Sequence, residues 1–120
     1  TFDISNPASI IERDTLVSGG SVDLDEANSV FVVGTTAYVT AFDDETLTTV
    51  NVADPANITR ISDIDDSDPG VTLDNPRAVF VVGTVAYVPG NDGSGDGNLT
   101  TFDVSNPASI MQSGTINDSG

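Results

Sequence analysis

Asp92, Ser94 and Asp96 stand at alternate positions of the segment Asn91-Asp92-Gly93-Ser94-Gly95-Asp96-Gly97-Asn98, with Gly97 directly after the last carboxylate. Ca²⁺ takes several hard oxygen ligands, and oxygens at loop positions 1, 3 and 5 with glycine at 6 open a calcium loop, the glycine permitting its sharp turn. Asp103 falls at position 12 of that count. The spacing makes Asp92, Ser94 and Asp96 candidate calcium ligands; no other cofactor is suggested and none is required. A second account covers the same residues. Asp103 has a counterpart, Asp3, at the same place in the repeat, and a glycine-rich hairpin between two strands needs no ion. Asp63, Asp65, Asp66 and Asp68 form another acidic cluster, which reads as a solvated connection.

The residue types that are missing narrow the chemistry further. The chain has no His, Cys, Lys or Trp. That excludes a Ser-His-Asp or Cys-His pair, a Schiff-base lysine and any imidazole or thiolate metal site within these residues. Paired carboxylates serve glycoside hydrolysis, but with sixteen Asp in 120 residues some pair reaches a workable separation by accident. The expectation is a non-enzymatic chain. Asn57, Asn98 and Asn117 each open an Asn-X-Ser/Thr sequon, so an extracellular copy has three candidate glycosylation sites. The Asn, Ser and Thr content yields that number by chance. Asn98, on the loop, is expected to be the most accessible, and Asn57, beside a proline turn, the more constrained.

Nineteen acidic residues against three arginines (Arg13, Arg60 and Arg77) give a net charge of -16. No basic patch can form, so nucleic acid and anionic membrane are excluded as partners. No apolar run approaches the roughly 20 residues that span a bilayer as a helix, so membrane insertion by this segment is not expected. Asp outnumbers Glu sixteen to three, and Asp with Asn, Gly, Ser and Thr suits turns and strands rather than helices. The hydrophobic fraction of 38% is too high for a disordered acidic tail. Abundant Asp with no Lys fits a saline or halophilic setting, where cations relieve self-repulsion.

Internal repeats decide the fold class. Phe2-Asp3-Ile4-Ser5-Asn6-Pro7-Ala8-Ser9-Ile10 returns 48 residues later as Val50-Asn51-Val52-Ala53-Asp54-Pro55-Ala56-Asn57-Ile58, and a further 52 later as Phe102-Asp103-Val104-Ser105-Asn106-Pro107-Ala108-Ser109-Ile110. The block Val30-Phe31-Val32-Val33-Gly34-Thr35-Thr36-Ala37-Tyr38-Val39 recurs 49 residues later, at Val79 to Val88. One period of about 50 residues holds four short strands, and four strands per radially repeated unit is the β-propeller plan. Within one period the strands are predicted at 29–33, 36–42, 47–52 and 58–64. The first, an apolar run closed by Gly34, suits a buried innermost strand. Ala37, Val39 and Ala41 alternate with Tyr38 and Thr40, as a two-faced strand requires. Asp54-Pro55 ends the third strand. Asp65 to Gly70 then crosses to the next unit, whose inner strand starts near Arg77. No segment shows helical periodicity.

An aromatic or aliphatic strand ending in Asp or Asn, then Ser-Asn-Pro-Ala or Ala-Asp-Pro-Ala, with Ala-Tyr-Val in the strand before, resembles the LVIVD-repeat family. The matching residues are Thr49 to Ala56, Thr101 to Ala108, Ala37-Tyr38-Val39 and Ala86-Tyr87-Val88. The resemblance implies a propeller of bacterial and archaeal secreted or surface-attached proteins, without a catalytic motif to carry over. Asn51 stands where the pattern has Asp, and the glycine-rich insertion near residue 93 is a second departure. Kelch repeats fit less well for want of a Gly-Gly pair, and Trp-based propeller repeats for want of any Trp.

The chain is thus expected to be all-β, with propeller blades of four antiparallel strands: a half blade at 1–17, a blade at 21–67 and another at 70–118. That count leaves edges and inner faces open. The segment is expected to be a window on a longer array, an extracellular or cell-surface interaction or structural module. Its partners are then further blades of the same chain or other copies of it. The alternatives are a filament or lattice subunit completed by strand exchange, and part of a propeller hydrolase or lyase whose active site lies in blades not present.

Overall fold

A computed structural model describes residues 1–118. Ten strands follow one another with no helix among the described residues: β1 (Phe2–Asp3), β2 (Ile11–Glu12), β3 (Ala27–Val33), β4 (Thr36–Ala41), β5 (Thr46–Asn51), β6 (Thr59–Asp65), β7 (Phe80–Val82), β8 (Val85–Asn91), β9 (Gly97–Asp103) and β10 (Met111–Asn117). All pairings are antiparallel, and each four-stranded sheet is a plain meander, β3-β4-β5-β6 and β7-β8-β9-β10, while β1 and β2 form a two-stranded ribbon.

The turns follow from single residues. Val33 pairs with Thr36 and Val82 with Val85, leaving two-residue connections whose first members, Gly34 and Gly83, have φ of 58° and 60°. A positive φ at the first central position alone, Thr35 and Thr84 not sharing it, marks a type II′ hairpin, and glycine takes it without steric cost. The repeat extends to irregularities. The ladder shifts register between Thr49 and Val50 against β6, and β10 shifts between Gln112 and Gly114 at the corresponding place.

Two strand expectations change. Val30, Val32 and Val33 of β3 are exposed rather than buried, because no further sheet packs over β3 among the described residues, whereas Val81, at the same place on the equally edge-positioned β7, is buried against the first sheet. The inner strand expected from Arg77 begins only at Phe80. Asn75, at φ 42°, and Pro76, which has no N–H, interrupt the extended run, although Arg77 N–H still donates to the Pro89 carbonyl at 2.9 Å.

The two four-stranded sheets pack face to face. Tyr38, Leu47 and Ile64 of the first meet Val81, Val88 and Phe102 of the second in one buried cluster. Leu47, Val88 and Phe102 are fully buried, each contributing about 1.5–3 kcal/mol through loss of apolar contact with water. Hydrogen bonds set the register between the sheets: Thr49 Oγ1 to the Pro107 carbonyl at 2.7 Å, Asn28 Nδ2 to the Pro76 carbonyl at 2.6 Å, and Val79 N–H to Ser29 Oγ at 3.2 Å. The ribbon joins the first sheet by the same kind of contact, Thr1 Oγ1 to the Pro55 carbonyl at 2.6 Å.

Candidate functional site

The most repeated polar chemistry in the chain lies in three proline turns. Ser5 N–H donates to Asp3 Oδ1 at 3.0 Å, Ala53 N–H to Asn51 Oδ1 at 2.9 Å, and Ser105 N–H to Asp103 Oδ1 at 2.9 Å. Three residues further on, Ala8, Ala56 and Ala108 donate to the side chains of Asn6, Asp54 and Asn106 at 3.1, 2.9 and 3.1 Å. Each turn is thus two Asx turns in series around a proline. A carboxylate and an amide oxygen accept this bond equally well, which explains how Asn51 replaces Asp. The amide donors hold Asp3 and Asp103 below the usual carboxylate range, Ser5 and Ser105 contributing most and Arg13 adding to the effect at Asp3. Asp103 is therefore a turn residue of the repeat, as its likeness to Asp3 suggested.

The glycine-rich loop is the tip of the β8–β9 hairpin, closed by the pair Asn91 and Gly97. Asp92 Oδ1 accepts Ser94 N–H at 2.9 Å, Ser94 Oγ–H at 2.7 Å and Asp96 N–H at 3.2 Å, and Asp92 N–H donates to the Asp96 carbonyl at 3.1 Å. The Ser94 hydroxyl, first among these donors, draws the Asp92 pKa down. Asp92 and Ser94 therefore spend one carboxylate oxygen and one hydroxyl proton on closing their own loop, leaving Asp92 Oδ2, the lone pairs of Ser94 Oγ and the Asp96 carboxylate for any cation. Among the described residues no three His, Cys, Asp or Glu side chains converge as a metal site.

Beneath the loop lies a cavity of about 130 Å³, lined by Asp74, Asp92, Asp96, Asn98, Asn117 and Asp118. Burial pushes the Asp74 carboxyl up, and the charges of Asp66 and Asp92 push it further. Gly90 is required here: a side chain at 90 would collide with the Asp74 carbonyl oxygen. The second acidic cluster is also occupied with backbone. Asp65 Oδ1 accepts Ser67 N–H at 2.6 Å, Asp66 Oδ1 accepts Leu73 N–H at 3.0 Å, Asp68 Oδ2 accepts Asp65 N–H at 3.3 Å, and Asp63 pairs with Arg60.

The sequons rank differently from expectation. Asn98 is half-buried within β9, whereas Asn57 is exposed in its turn. The strand begins at Gly97, one residue before Asn98, so the loop is shorter than the glycines suggested. Asn117 is exposed on β10; Ser119 of its sequon lies outside the described residues.

The LVIVD-repeat model matches residues 2–16, 26–66 and 76–118, segments that coincide with the ribbon and the two meanders. The chain belongs to the LVIVD-repeat family. No curated protein and no solved structure matches it. In this LVIVD chain the repeat's Asp, Asn and Pro residues build the turns, and its Thr, Tyr, Leu and Phe residues pack one unit on the next.

Proposed function

We propose that the chain is a β-propeller segment serving as a non-enzymatic interaction or structural module of a larger extracellular or surface protein. The observation that carries this reading is where the repeat spends its polar groups. Each Asp or Asn of the three proline turns accepts a backbone N–H and so serves to shape the turn. Successive four-stranded meanders stacked through the same Thr-to-Pro contact are what radial repetition of blades requires. Of the three cations two are paired with Asp, and the third lies over the Phe42 ring, so the surface is left strongly anionic. A surface of this charge stays soluble and hydrated in salt.

The test uses intact cells of the source and a protease that cannot enter them, followed by intact-mass measurement of the product carrying residues 1–120. A product cleaved on intact cells, with a mass well above 12.3 kDa, supports the reading. A protected, cytosolic product sinks it.

A further inference from the structure

Two Asp-Gly pairs, Asp92-Gly93 and Asp96-Gly97, stand exposed in the tip of the β8–β9 hairpin. In such a pair the backbone nitrogen can reach the preceding side-chain carboxyl, since glycine has no Cβ to stand in the way. The two pairs are alike in sequence and differ in the fold. Asp92 Oδ1 accepts Ser94 N–H, the Ser94 hydroxyl and Asp96 N–H at 2.9, 2.7 and 3.2 Å, bonds that fix the group and, the hydroxyl first among them, keep it ionised. An ionised carboxylate is a poor electrophile. The nitrogen that would attack it is engaged as well, Gly93 N–H donating to Asn91 Oδ1 at 3.1 Å. Asp96 has neither restraint. Among the described residues it is bonded through its backbone alone, by its N–H to Asp92 Oδ1 and by its carbonyl from Asp92 N–H. Asn91 turns both backbone groups away from β9, its N–H to the Asp74 carbonyl at 3.2 Å and its carbonyl to Asn75 Nδ2 at 2.9 Å, so the pair Asn91 and Gly97 exchanges no hydrogen bond. Gly97 faces β10, where its carbonyl accepts Asp118 N–H at 2.8 Å, and its own N–H meets no acceptor among the described residues. Gly95 and Gly97, each with open space where a side chain would stand, leave the backbone on both sides of Asp96 free to turn.

We infer that Asp96 is a site of spontaneous isomerisation to isoaspartate, through attack of the Gly97 nitrogen on the Asp96 side chain, and that the folded loop protects Asp92 from the same reaction. The Gly97 nitrogen gives up its proton and forms a bond to Asp96 Cγ. The carboxyl, reacting as the acid, loses its OH, which leaves with that proton as water, and a succinimide ring remains. Water then opens the ring at one of its two carbonyls. Breaking the new Cγ–N bond restores aspartate; breaking the original peptide bond leaves the chain running through Cβ and Cγ, with the former backbone carbonyl now a free carboxylate. Water lost is water regained, so mass is unchanged and no oxidant or further reagent enters. The product lengthens the backbone by one carbon between Asp96 and Gly97, beside the pair Asn91 and Gly97 that closes the hairpin and the Gly97 carbonyl that holds Asp118. The reaction therefore loosens the hairpin tip and its junction with β10.

The experiment incubates the folded protein carrying residues 1–120 near neutral pH, below its unfolding temperature, beside a synthetic peptide of residues 88–99 and the same protein unfolded in urea. Incubation lasts until the free peptide has isomerised at both pairs. Chymotrypsin, cutting after Tyr87 and Leu99, releases one peptide that carries both. Electron-transfer fragmentation then distinguishes isoaspartate from aspartate at each position. Expected is isoaspartate at 96 with aspartate kept at 92 in the folded protein, and reaction at both positions in urea. Gly97→Ala, whose added carbon meets nothing in the fold, should slow the reaction at 96 about tenfold, the effect of about 1.4 kcal/mol on the barrier. Asn91→Ala combined with Ser94→Ala releases the Gly93 N–H and one donor to Asp92, and should bring isoaspartate to 92. A folded protein that keeps aspartate at 96 after the free peptide has reacted overturns the inference, as does reaction at 92 as fast as at 96, or a double variant in which 92 stays unreacted.

Discussion

Thr49 on β5 and Pro107 in the turn of the neighbouring unit are joined by a hydrogen bond of 2.7 Å, and Thr1 and Pro55 repeat the bond one unit earlier at 2.6 Å. Thr49 Oγ1 also accepts Ser62 N–H at 3.1 Å, opposite the register shift of β6. One fully buried hydroxyl therefore ties together the strand, its bulge and the next sheet. Thr49→Val keeps the shape and removes both bonds, leaving the Pro107 carbonyl and the Ser62 N–H without partners. Urea unfolding should show a loss of about 1–3 kcal/mol, against no more than about 0.5 kcal/mol for a change at the exposed Thr59.

Phe2 and Phe102 occupy one place in the repeat and opposite environments. Phe102→Ala should cost about 3–5 kcal/mol through lost burial and the cavity left behind. Phe2→Ala should change the stability of the monomer by no more than about 0.5 kcal/mol. Equal effects in chemical denaturation would mean that the ribbon is packed differently.

Gly90 lies against the backbone of the Asp74 segment, and its counterpart in the first meander is the buried Ala41. Gly90→Ala should therefore destabilise by about 1–3 kcal/mol, because a carbonyl cannot move aside as a flexible side chain can. Gly97→Ala, where nothing lies near an added carbon, serves as the control in the same thermal unfolding series.

The carboxylates predict opposite pH behaviour. Asp103 has a lowered folded pKa, so its contribution is present above the unfolded value of 3.8 and is lost as pH falls through the folded one. Asp103→Asn keeps the Asx turn, as Asn51 does, and should flatten the acid limb of stability against pH. Asp74 has a raised folded pKa, so its stabilising share is full below 3.8 and is lost as pH rises through the folded value. Asp74→Asn should raise the urea midpoint at pH 7 and leave it unchanged at pH 3.

Net charge of -16 makes self-repulsion a general cost, so NaCl should raise the unfolding temperature continuously. Since Asp92 Oδ1 already accepts three donors, CaCl₂ at matched ionic strength should add no saturable step. A saturable step that Asp92→Ala abolishes would assign Asp92, Ser94 and Asp96 to calcium instead.

The period of the sequence carried much of this architecture. Two blocks sharing one spacing located ten strands, and Gly34 and Gly83 marked their tight turns, because hairpin geometry depends on neighbouring residues alone. The exposure of β3 was not legible: an apolar run looks the same whether or not another layer covers it, and only the packing of the sheets leaves Val30 and Val32 open while it buries Val81. The glycine-rich loop is ambiguous in sequence for a related reason. Oxygens at alternate positions suit a cation or the loop's own amides equally, and the choice depends on where Asp92 Oδ1 points. The Thr-to-Pro staple went unnoticed although Thr1, Thr49 and Thr101 recur at the repeat period. A threonine in a strand gives no sign of a partner more than 50 residues away.

Successive LVIVD units pack face to face through the threonine and proline positions of the repeat. Proton NMR of the folded chain tests it through nuclear Overhauser contacts between the Thr49 side chain and the Pro107 turn. These contacts are expected, together with a slowly exchanging Thr49 hydroxyl proton. Their absence, with every contact inside the two meanders in place, would show that the sheets form but do not stack in this way.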